Sequence, residues 1–338
     1  MKALFYPTFD SLVVRDLPEP VAASGEVLLE VAACGLCGSE LETFKNRSPR
    51  RMPPLVMGHE FCGTVLAVGE GIDPVLVGTR QVANAVVSCG KCARCRRNDT
   101  HLCAERQIFG MHRSGAFAER VAVPARVLIP WPENLPASSA CLAEPLANGV
   151  HIVGLTRHLP AETVLVIGAG PIGLMCQQAF RVLRGSRILA CDLSEGRLTV
   201  SARIGAEKTV CSRSSDVREE ILRWTGGEGV DVVVDAAGST ATKLLSLACL
   251  RPGGVAVWIG LHADEMTLKS YELILPEKQV LGTYGAKQEE LAEALDLMRR
   301  GKVDVSSWVE VAPLAEAIPV FHRMLRPGET DFKAVFTP

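Results

Sequence analysis

The sequence has no apolar run long enough to cross a bilayer, and it has no internal repeat or low-complexity segment. A membrane-spanning helix needs about 20 consecutive apolar residues, so no such helix is expected. The N-terminal stretch meets Asp10 before a long apolar core develops, which argues against a secretory signal peptide. The sequence therefore predicts a soluble, cytoplasmic protein.

The chain also lacks an excess of charge of either sign. It has 36 Lys and Arg residues and 38 Asp and Glu residues, which gives a formal net charge of −2. Partners such as nucleic acid or an anionic membrane are usually matched by a strongly basic surface, so neither is expected. With 338 residues, of which 48% are hydrophobic and 22% charged, the composition is ordinary for a globular protein and predicts two domains.

The pattern of short runs changes near residue 147. Residues 1–147 contain short β runs between glycine turns and no sustained helical period, which favours a mostly β, barrel-like domain. Residues 148–287 alternate strands with helices, which predicts an α/β domain built on a doubly wound parallel sheet. Residues 288–338 hold an amphipathic helix and a last β run, which we expect to complete the first domain.

A nucleotide-binding pattern lies within residues 163–192. A short apolar run, rich in β-branched residues, predicts a buried parallel strand, and a glycine-rich turn follows it. The turn has the G-x-G-x-x-G spacing, formed by Gly168, Gly170, Pro171, Ile172 and Gly173. In this pattern the glycines permit a tight turn, approach of the backbone to a pyrophosphate, and close packing of the next helix. Proline suits the first helical position, and the free N–H groups there favour a phosphate.

The next strand ends at Asp192. A carboxylate there accepts hydrogen bonds from the adenosine ribose and repels a 2′-phosphate, so NAD is predicted over NADP. Glycine turns alone are common, and a turn in an unrelated α/β protein is the alternative. Strand, glycines, helix, strand and acid occur here in the order that supports a dinucleotide site.

The chain has 12 cysteines, which in a cytosolic protein points to metal binding or catalysis. Cys89, Cys92, Cys95 and Cys103 form a compact set in a polar, basic segment. Two-residue spacers allow thiolates to meet on one metal, and four thiolates close a tetrahedral zinc site. We predict a structural zinc that holds this segment together. Free thiols or an iron–sulfur cluster are the alternatives.

A second set of metal-binding residue types is scattered along the chain: Cys37, His59, Glu60 and Glu144. Thiolate, imidazole and carboxylate all bind zinc, and three such ligands leave a position open for a substrate. Spacing alone does not bring these residues together. Taken singly, each has an ordinary structural interpretation, such as a core thiol, a loop histidine or an acid at a helix start.

The whole chain resembles the medium-chain, zinc-dependent alcohol dehydrogenase superfamily. The matching motifs are ACGLCGSE at 33–40, PLVMGHEFCGTVLAVGEGI at 54–72, the four-cysteine loop, SGAFAE at 114–119, AEPLANGVH at 143–151 and the nucleotide fingerprint. The resemblance implies a GroES-like catalytic domain and a Rossmann NAD-binding domain. It also implies that Cys37 and His59 bind a catalytic zinc, that Glu60 binds it or lies just behind it, and that Glu144 stands at the third ligand position.

Further roles follow from the same resemblance. Ser39 relays the substrate proton, Arg197 lies near the adenosine, and backbone groups around Gly260 meet the nicotinamide. Two positions depart from the family pattern: Glu40 replaces the usual Asp, and Glu42 replaces a histidine that passes the proton onward. His112 is a candidate for substrate contact or a solvated loop residue.

The expected function is NAD-dependent oxidation of a secondary alcohol of a polyol, sugar derivative or cyclitol to a ketone. The expected cofactors are NAD and two zinc ions per chain, and the expected assembly is a homotetramer or homodimer. The Glu-Pro-Leu sequence at 144–146 looks like the polyol branch, whereas residues 100–124 look more like threonine dehydrogenase. A threonine-type amino-alcohol dehydrogenase is therefore the first alternative. A catalytically silent redox sensor that binds NAD and zinc is the second.

Overall fold

The computed structural model of the protein describes residues 1–328 and 331–338. The β-strands are β1 (Lys2–Tyr6), β2 (Val13–Asp16), β3 (Glu26–Gly35), β4 (Leu55–Val56), β5 (Glu60–Val68), β6 (Arg80–Ala83), β7 (Val86–Val87), β8 (Gln107–Ile108), β9 (Arg120–Pro124), β10 (Leu128–Pro130), β11 (Thr163–Ile167), β12 (Arg187–Asp192), β13 (Lys208–Cys211), β14 (Val230–Asp235), β15 (Leu250–Trp258), β16 (Gln279–Gly282), β17 (Val309–Pro313) and β18 (Lys333–Thr337). The α-helices are α1 (Gly38–Asn46), α2 (Ala93–Arg96), α3 (Ala137–Ala140), α4 (Ala143–Leu155), α5 (Pro171–Arg184), α6 (Glu195–Arg203), α7 (Val217–Trp224), α8 (Thr240–Ala248), α9 (Tyr271–Ile274), α10 (Gln288–Arg299) and α11 (Ala317–Met324).

The chain forms two compact units. Unit 1 comprises Met1–Ala147 and Gly285–Pro338, and unit 2 comprises Asn148–Tyr284. Unit 1 is therefore discontinuous in sequence, with unit 2 inserted into it. Among the helices of residues 1–328 and 331–338, none has the length and apolar character that a bilayer crossing requires.

The main sheet of unit 1 has the strand order β10-β6-β5-β3-β18-β17, and β9 also pairs with β3. Alternate residues of β3 are buried, among them Val27, Leu29 and Val31, as expected for a strand with one face on a core. Strand β18 lies between β3 and β17, antiparallel to the first and parallel to the second. The C-terminal end of the chain therefore occupies an inner position of this sheet.

Helix α1 corrects the prediction that residues 1–147 contain no sustained helix. Its buried positions are Glu40, Thr43 and Phe44. Two of these three are polar, so a search for apolar periodicity does not detect the helix. The helix places polar groups in the interior of unit 1, and the contacts that satisfy Glu40 are central to the site described below.

Unit 2 is an entirely parallel sheet with the order β13-β12-β11-β14-β15-β16. Adjacent residues of β11 contribute to separate cores on its two faces: Val164 and Val166 to one, Leu165 and Ile167 to the other. This is the doubly wound α/β arrangement, in which strand order reverses beside β11. The predicted fold class is confirmed, for this sheet and for the mostly β partner unit.

Some strand boundaries differ from the sequence prediction. The apolar run Val255–Gly260 predicts a strand, whereas the observed strand, β15, begins at Leu250 and ends at Trp258. Gly253 and Gly254 lie inside it, at an irregularity in its pairing with β14. Glycine is common at such irregular positions of a strand.

Candidate active site

The start of α1 carries two of the predicted site residues, Cys37 and Ser39, together with Glu40. Cys37 precedes the helix in an extended conformation, and Ser39 and Glu40 lie in its first turn. The Glu40 carboxylate turns back, and its Oε2 accepts a hydrogen bond from the Cys37 backbone N–H at 2.9 Å. The half-buried hydroxyl of Ser39 makes no hydrogen bond with the residues that the structure describes, so it is available to a bound molecule.

The second oxygen of Glu40 holds the segment that carries His59. Oε1 accepts from the Gly58 backbone N–H at 3.0 Å and lies 2.8 Å from His59 Nδ1. This contact assigns the proton of the neutral imidazole to Nδ1, which leaves Nε2 as the free donor atom for a metal. One carboxylate thus fixes the two segments that present Cys37 and His59.

Glu40 is fully buried, and burial alone would raise the pKa of its carboxyl group. The charge and hydrogen bond of His59, the charge of Arg51 and the backbone N–H of Cys37 outweigh burial and lower this pKa to about 2. The site therefore contains a permanent carboxylate where the family usually has the shorter Asp. The extra methylene does not prevent the contact with His59.

The candidate ligand atoms of Cys37, His59 and Glu60 all lie within 4.8 Å of one another. Thiolate, imidazole and carboxylate at this spacing fit a tetrahedral zinc with one position left open. His59 and Glu60 are buried, and Cys37 is half-buried, so the cluster has a single partly accessible side. Sequence spacing did not predict that these three side chains lie together. They do so because β3 pairs with β5.

Lys333 is a site residue that sequence analysis missed. It opens β18 and is 3% exposed, and its Nζ lies 2.5 Å from Glu60 Oε2 and donates to the Leu36 carbonyl at 2.8 Å. Burial opposes its charge, but Glu60 and Cys37 keep the pKa of Lys333 above its ordinary value. Nothing in the local sequence marks this lysine, because its partners lie near residues 36 and 60.

Glu144 lies in the first turn of α4 and is half-buried. It interacts electrostatically with His59, Glu60 and Lys333, but it is not part of the group whose ligand atoms lie within 4.8 Å. Burial, followed by repulsion from Glu60, raises the pKa of Glu144 to about 7 despite the opposing charges of His59 and Lys333. Glu144 is thus the outer carboxylate of the set and Glu60 the inner one.

The four cysteines of the polar loop meet at one point. Cys92 Sγ lies 3.5 Å from Cys95 Sγ and 3.9 Å from Cys103 Sγ, and Cys89 Sγ lies 3.9 Å from Cys95 Sγ. A tetrahedron with Zn–S bonds of about 2.3 Å has edges of about 3.8 Å, so the set matches a closed zinc site. The loop adds only short helical turns to the thiols, consistent with a segment that a metal holds together.

The glycine-rich turn of unit 2 has the predicted geometry. Gly168 has φ of +94°, which favours glycine, and a Cβ on Gly173 would lie 1.8 Å from the Gly168 carbonyl oxygen. Pro171 begins α5, as its sequence position predicts. Apart from its chain neighbours, the only described residue within 4 Å of a Cβ built on Gly170 is Arg197, whose Nη1 lies 3.8 Å away. The turn is thus open beside Gly170.

Asp192 ends β12, and both of its carboxylate oxygens accept backbone hydrogen bonds. Oδ2 accepts from Ala169 N–H at 2.7 Å and Oδ1 from Ser194 N–H at 2.9 Å. These bonds fix the carboxylate beside the glycine-rich turn. Gly260 packs directly on the Gly238 backbone, since a Cβ on Gly260 would lie 2.4 Å from Gly238 N. Gly260 itself can therefore offer only its backbone groups.

The candidate His112 is exposed, and its Nδ1 accepts a hydrogen bond from the Ile108 backbone N–H at 3.2 Å. This is the geometry of a turn residue. Six of the seven cysteines outside the metal patterns are buried, and Cys211 is half-buried. Burial raises the pKa of buried thiols such as Cys62 and Cys176 to about 12, so these thiols stay protonated.

Comparison with known proteins agrees with this arrangement. Residues 23–133 match the family model described as "Alcohol dehydrogenase GroES-like domain", and residues 171–300 match "Zinc-binding dehydrogenase". The chain is 32% identical to an L-threonine 3-dehydrogenase of Pyrococcus furiosus, with 87% of this chain and 85% of that protein covered. It is 30% identical to a D-arabitol-phosphate dehydrogenase of Enterococcus avium, with 96% and 93% covered.

A solved structure of a "putative zinc-binding dehydrogenase" from Sinorhizobium meliloti 1021, bound to NADP, is 29% identical. It superposes with a TM-score of 0.91 over 100% of this chain and 99% of that one. Both halves of the chain and both units of the fold therefore match one group of enzymes, which confirms the resemblance found in the sequence. The protein belongs to the medium-chain, zinc-dependent alcohol dehydrogenase superfamily.

Proposed function

We propose that this dehydrogenase oxidises a secondary alcohol of a polyol, a sugar derivative or a cyclitol to a ketone, with NAD as the hydride acceptor. The observation that carries the proposal is the buried set of Cys37, His59 and Glu60, with the free hydroxyl of Ser39 two residues from the thiol. A glycine-rich turn paired with a fixed carboxylate at Asp192 supports the cofactor assignment.

Different residues of unit 1 would bind the metal, transfer the alcohol proton and orient the ligands. Cys37, His59 and one glutamate would hold the metal, and the metal when bound supplies a Lewis acid for the alcohol oxygen. Ser39 accepts the proton of the alcohol and transfers it outward. Glu40 keeps His59 and Cys37 oriented through three hydrogen bonds, so the ligand geometry is set before the substrate arrives.

Lys333 changes the charge balance of the site. One thiolate and two carboxylates would make a divalent ion a poor Lewis acid, and the buried ammonium offsets one of these negative charges. Because one oxygen of Glu60 contacts Lys333, we propose that Glu60 would pair with this cation. Cys37, His59 and Glu144 would then be the residues that hold the metal while an alcohol is bound.

The substrate class rests on two features. Glu144 followed by Pro145 and Leu146 looks like the polyol branch, and a D-arabitol-phosphate dehydrogenase is among the relatives. The similarity to an L-threonine 3-dehydrogenase supports an amino-alcohol substrate as the second candidate. Both reactions use the same proton relay and hydride transfer, so the site chemistry alone does not separate them.

A substrate screen tests the function. Polyols, cyclitols, polyol phosphates and L-threonine are each incubated with NAD, and formation of NADH is followed by absorbance. We expect turnover with at least one polyol or cyclitol, phosphorylated or not. Turnover with L-threonine alone would establish the second candidate. Absence of NADH formation with every alcohol, in protein with full metal content, would favour the redox-sensor alternative.

We predict two zinc ions per chain, one in the four-cysteine loop and one at Cys37, His59 and the glutamates. Elemental analysis of carefully prepared protein should give close to two. Mild chelation should remove the second ion first, because an open site exchanges more readily than a closed one. A reproducible value of one zinc with full activity would contradict one of the two assignments.

We predict that Asp192 sets the preference for NAD. Asp192→Ser should remove the negative charge that faces a 2′-phosphate and raise kcat/KM for NADP relative to NAD by at least about 10-fold, or about 1.4 kcal/mol. Asp192→Asn is the matched comparison: it keeps an acceptor for one of the two backbone N–H groups and also lacks the charge, so it should show the same shift towards NADP. A wild-type enzyme that already prefers NADP would refute this role.

Arg197 is proposed to act at the pyrophosphate, which revises the adenosine contact expected from sequence. Its guanidinium lies beside Gly170, at the N-terminal end of α5, where the free N–H groups favour a phosphate. Gly168, Pro171, Ile172 and Gly173 would form the rest of this cradle. Gly260 would offer only its backbone to the nicotinamide, since no side chain fits beside Gly238.

We propose a homodimer, or a tetramer built from such dimers, that pairs through the edge of the unit 2 sheet. Strand β16 is an edge strand of the described sheet, and Tyr271 and Ile274 of α9 and the next residue, Leu275, are 73%, 60% and 77% exposed. Exposed apolar groups beside an open strand edge favour association with a second copy. Leu275→Glu should shift the protein towards monomer in light scattering. A wild-type monomer at working concentration would disprove the assembly.

A further inference from the structure

Arg51 is the largest fully buried side chain among the described residues, at 1% exposure. It forms no direct ion pair with an Asp or Glu of residues 1–328 and 331–338, although its charge acts on the Glu40 carboxylate. Burying a cation that contacts no carboxylate directly is costly unless its N–H groups find acceptors. The acceptors of its N–H groups therefore decide where the Arg51 side chain lies.

The acceptors of Arg51 lie on two segments. Nη1 donates to the Ser39 carbonyl at 2.9 Å and to the Thr43 hydroxyl at 3.2 Å, and Nε donates to the Gly110 carbonyl at 2.5 Å. Ser39 and Thr43 are four positions apart and belong to the first turns of α1. The planar guanidinium therefore ties that part of the helix to the turn at Gly110.

The turn at Gly110 is itself packed on the segment that leads to His59. A Cβ on Gly110 would lie 2.7 Å from the Gly58 backbone nitrogen and 3.1 Å from the Met57 carbonyl carbon. The backbones of these segments are thus in direct contact, and Gly58 immediately precedes His59. Arg51 consequently connects the start of α1, with Cys37 and Ser39, to the backbone segment that immediately precedes His59.

We propose that Arg51 is a positioning residue that holds the Ser39 hydroxyl in place relative to Cys37 and His59. It acts through the backbone of Ser39 and does not touch the substrate. A displacement of about 1 Å at a reacting group can lower the rate about 100-fold. The hydrogen bonds from Arg51 to Ser39, Thr43 and Gly110, here called the brace, should therefore affect turnover. The inference rests on the proposed role of Ser39 as the proton relay.

Lysine is not an equivalent substitute. Its single ammonium group keeps the charge but has no planar fork to span the Ser39 and Gly110 carbonyls. Arg47 is the matched control on the same loop, because it is exposed and its guanidinium pairs with Asp10 at the surface. Arg47→Met removes a cation four positions away and leaves the brace intact.

The first measurement does not depend on turnover. Hydrogen–deuterium exchange of peptides covering residues 37–46 and 108–113 should be faster in Arg51→Lys than in the wild type, and unchanged in Arg47→Met. Unchanged exchange in Arg51→Lys would overturn the proposal that Arg51 holds these two segments together. This result stands whichever substrate the enzyme uses, so it separates a failure of the inference from a failure of the proposed function.

The second measurement is a double-mutant cycle with Ser39→Ala. Arg51→Lys alone should lower kcat by about 10- to 100-fold, with metal content and the KM for NAD within about threefold of the wild type. In the Ser39→Ala background the same change should cost less than about twofold, because the group it positions is gone. Equal losses in both backgrounds would show a general structural role and overturn the proposal.

Discussion

Lys333→Met is expected to lower turnover by about 10- to 100-fold, the usual scale for a charged partner of a metal ligand. The substitution removes the ammonium that lies 2.5 Å from Glu60 Oε2 and leaves a carboxylate that is 1% exposed without its cation. In the metal-loaded enzyme Glu60 should then turn fully to the metal and fill the position that the substrate needs. Activity should fall while the catalytic metal is retained or bound more tightly.

The stability of the metal-free protein supplies an independent check on Lys333. Breaking one side of a buried ion pair typically costs about 3–5 kcal/mol, whereas removing both charges costs much less. Thermal unfolding should therefore show a large loss in Lys333→Met and a partial recovery in Lys333→Met combined with Glu60→Gln. If the single variant keeps wild-type turnover and stability, Lys333 neither restrains Glu60 nor balances the charge of the site.

Glu144→Gln is the second change for which we expect a large effect. It should preserve the fold and the zinc of the four-cysteine loop, and reduce turnover, catalytic-metal occupancy or both by about 10- to 100-fold. The physical reason is that Glu144 is the carboxylate left to complete the ligand set when Glu60 is held by Lys333. Cys37→Ser should be at least as damaging, because a thiolate anchors zinc better than a hydroxyl.

Elemental analysis and steady-state kinetics on the same preparation check this expectation. Glu220→Gln is a matched control, since Glu220 is a half-buried acid on α7 of unit 2 that pairs with Lys208 and is not assigned to the ligand set. Near wild-type turnover with full metal occupancy in Glu144→Gln would show that Glu144 is only a structural acid. The ligand set would then consist of Cys37, His59 and Glu60.

The parts of the fold that the sequence predicted are those governed by local pattern. The sequence predicts a short strand near Lys208–Cys211, where the structure has β13, and the turn from Gly168 to Gly173 has the predicted geometry. In each case neighbouring residues alone decide the backbone, through alternation, glycine freedom or proline at a helix start. Helix α1 was missed because its buried positions include Glu40 and Thr43, whose burial depends on distant partners.

The residues of the candidate site also divide into those that a local motif predicts and those whose role depends on distant contacts. Cys37 and His59 were found because their short motifs match a family, and spacing could not have joined them. Lys333 and Arg51 were not found, because their significance lies in contacts with Glu60 and with the Ser39 carbonyl. Sequence also treated Glu40 as a departure, whereas the structure shows that its carboxylate holds both ligand segments.

The insertion of unit 2 into unit 1 has a consequence for the order in which the protein folds during synthesis. Unit 2 is one continuous stretch, so it can fold as soon as it leaves the ribosome. Lys333 and Leu36, which meet beside Glu60, are 297 positions apart. Pairing between β3 and β18 must therefore wait until residues 333–337 have been synthesised, and such distant contacts form slowly. Until then the strands that border β18 are exposed on the nascent chain, and Glu60 has no buried cation.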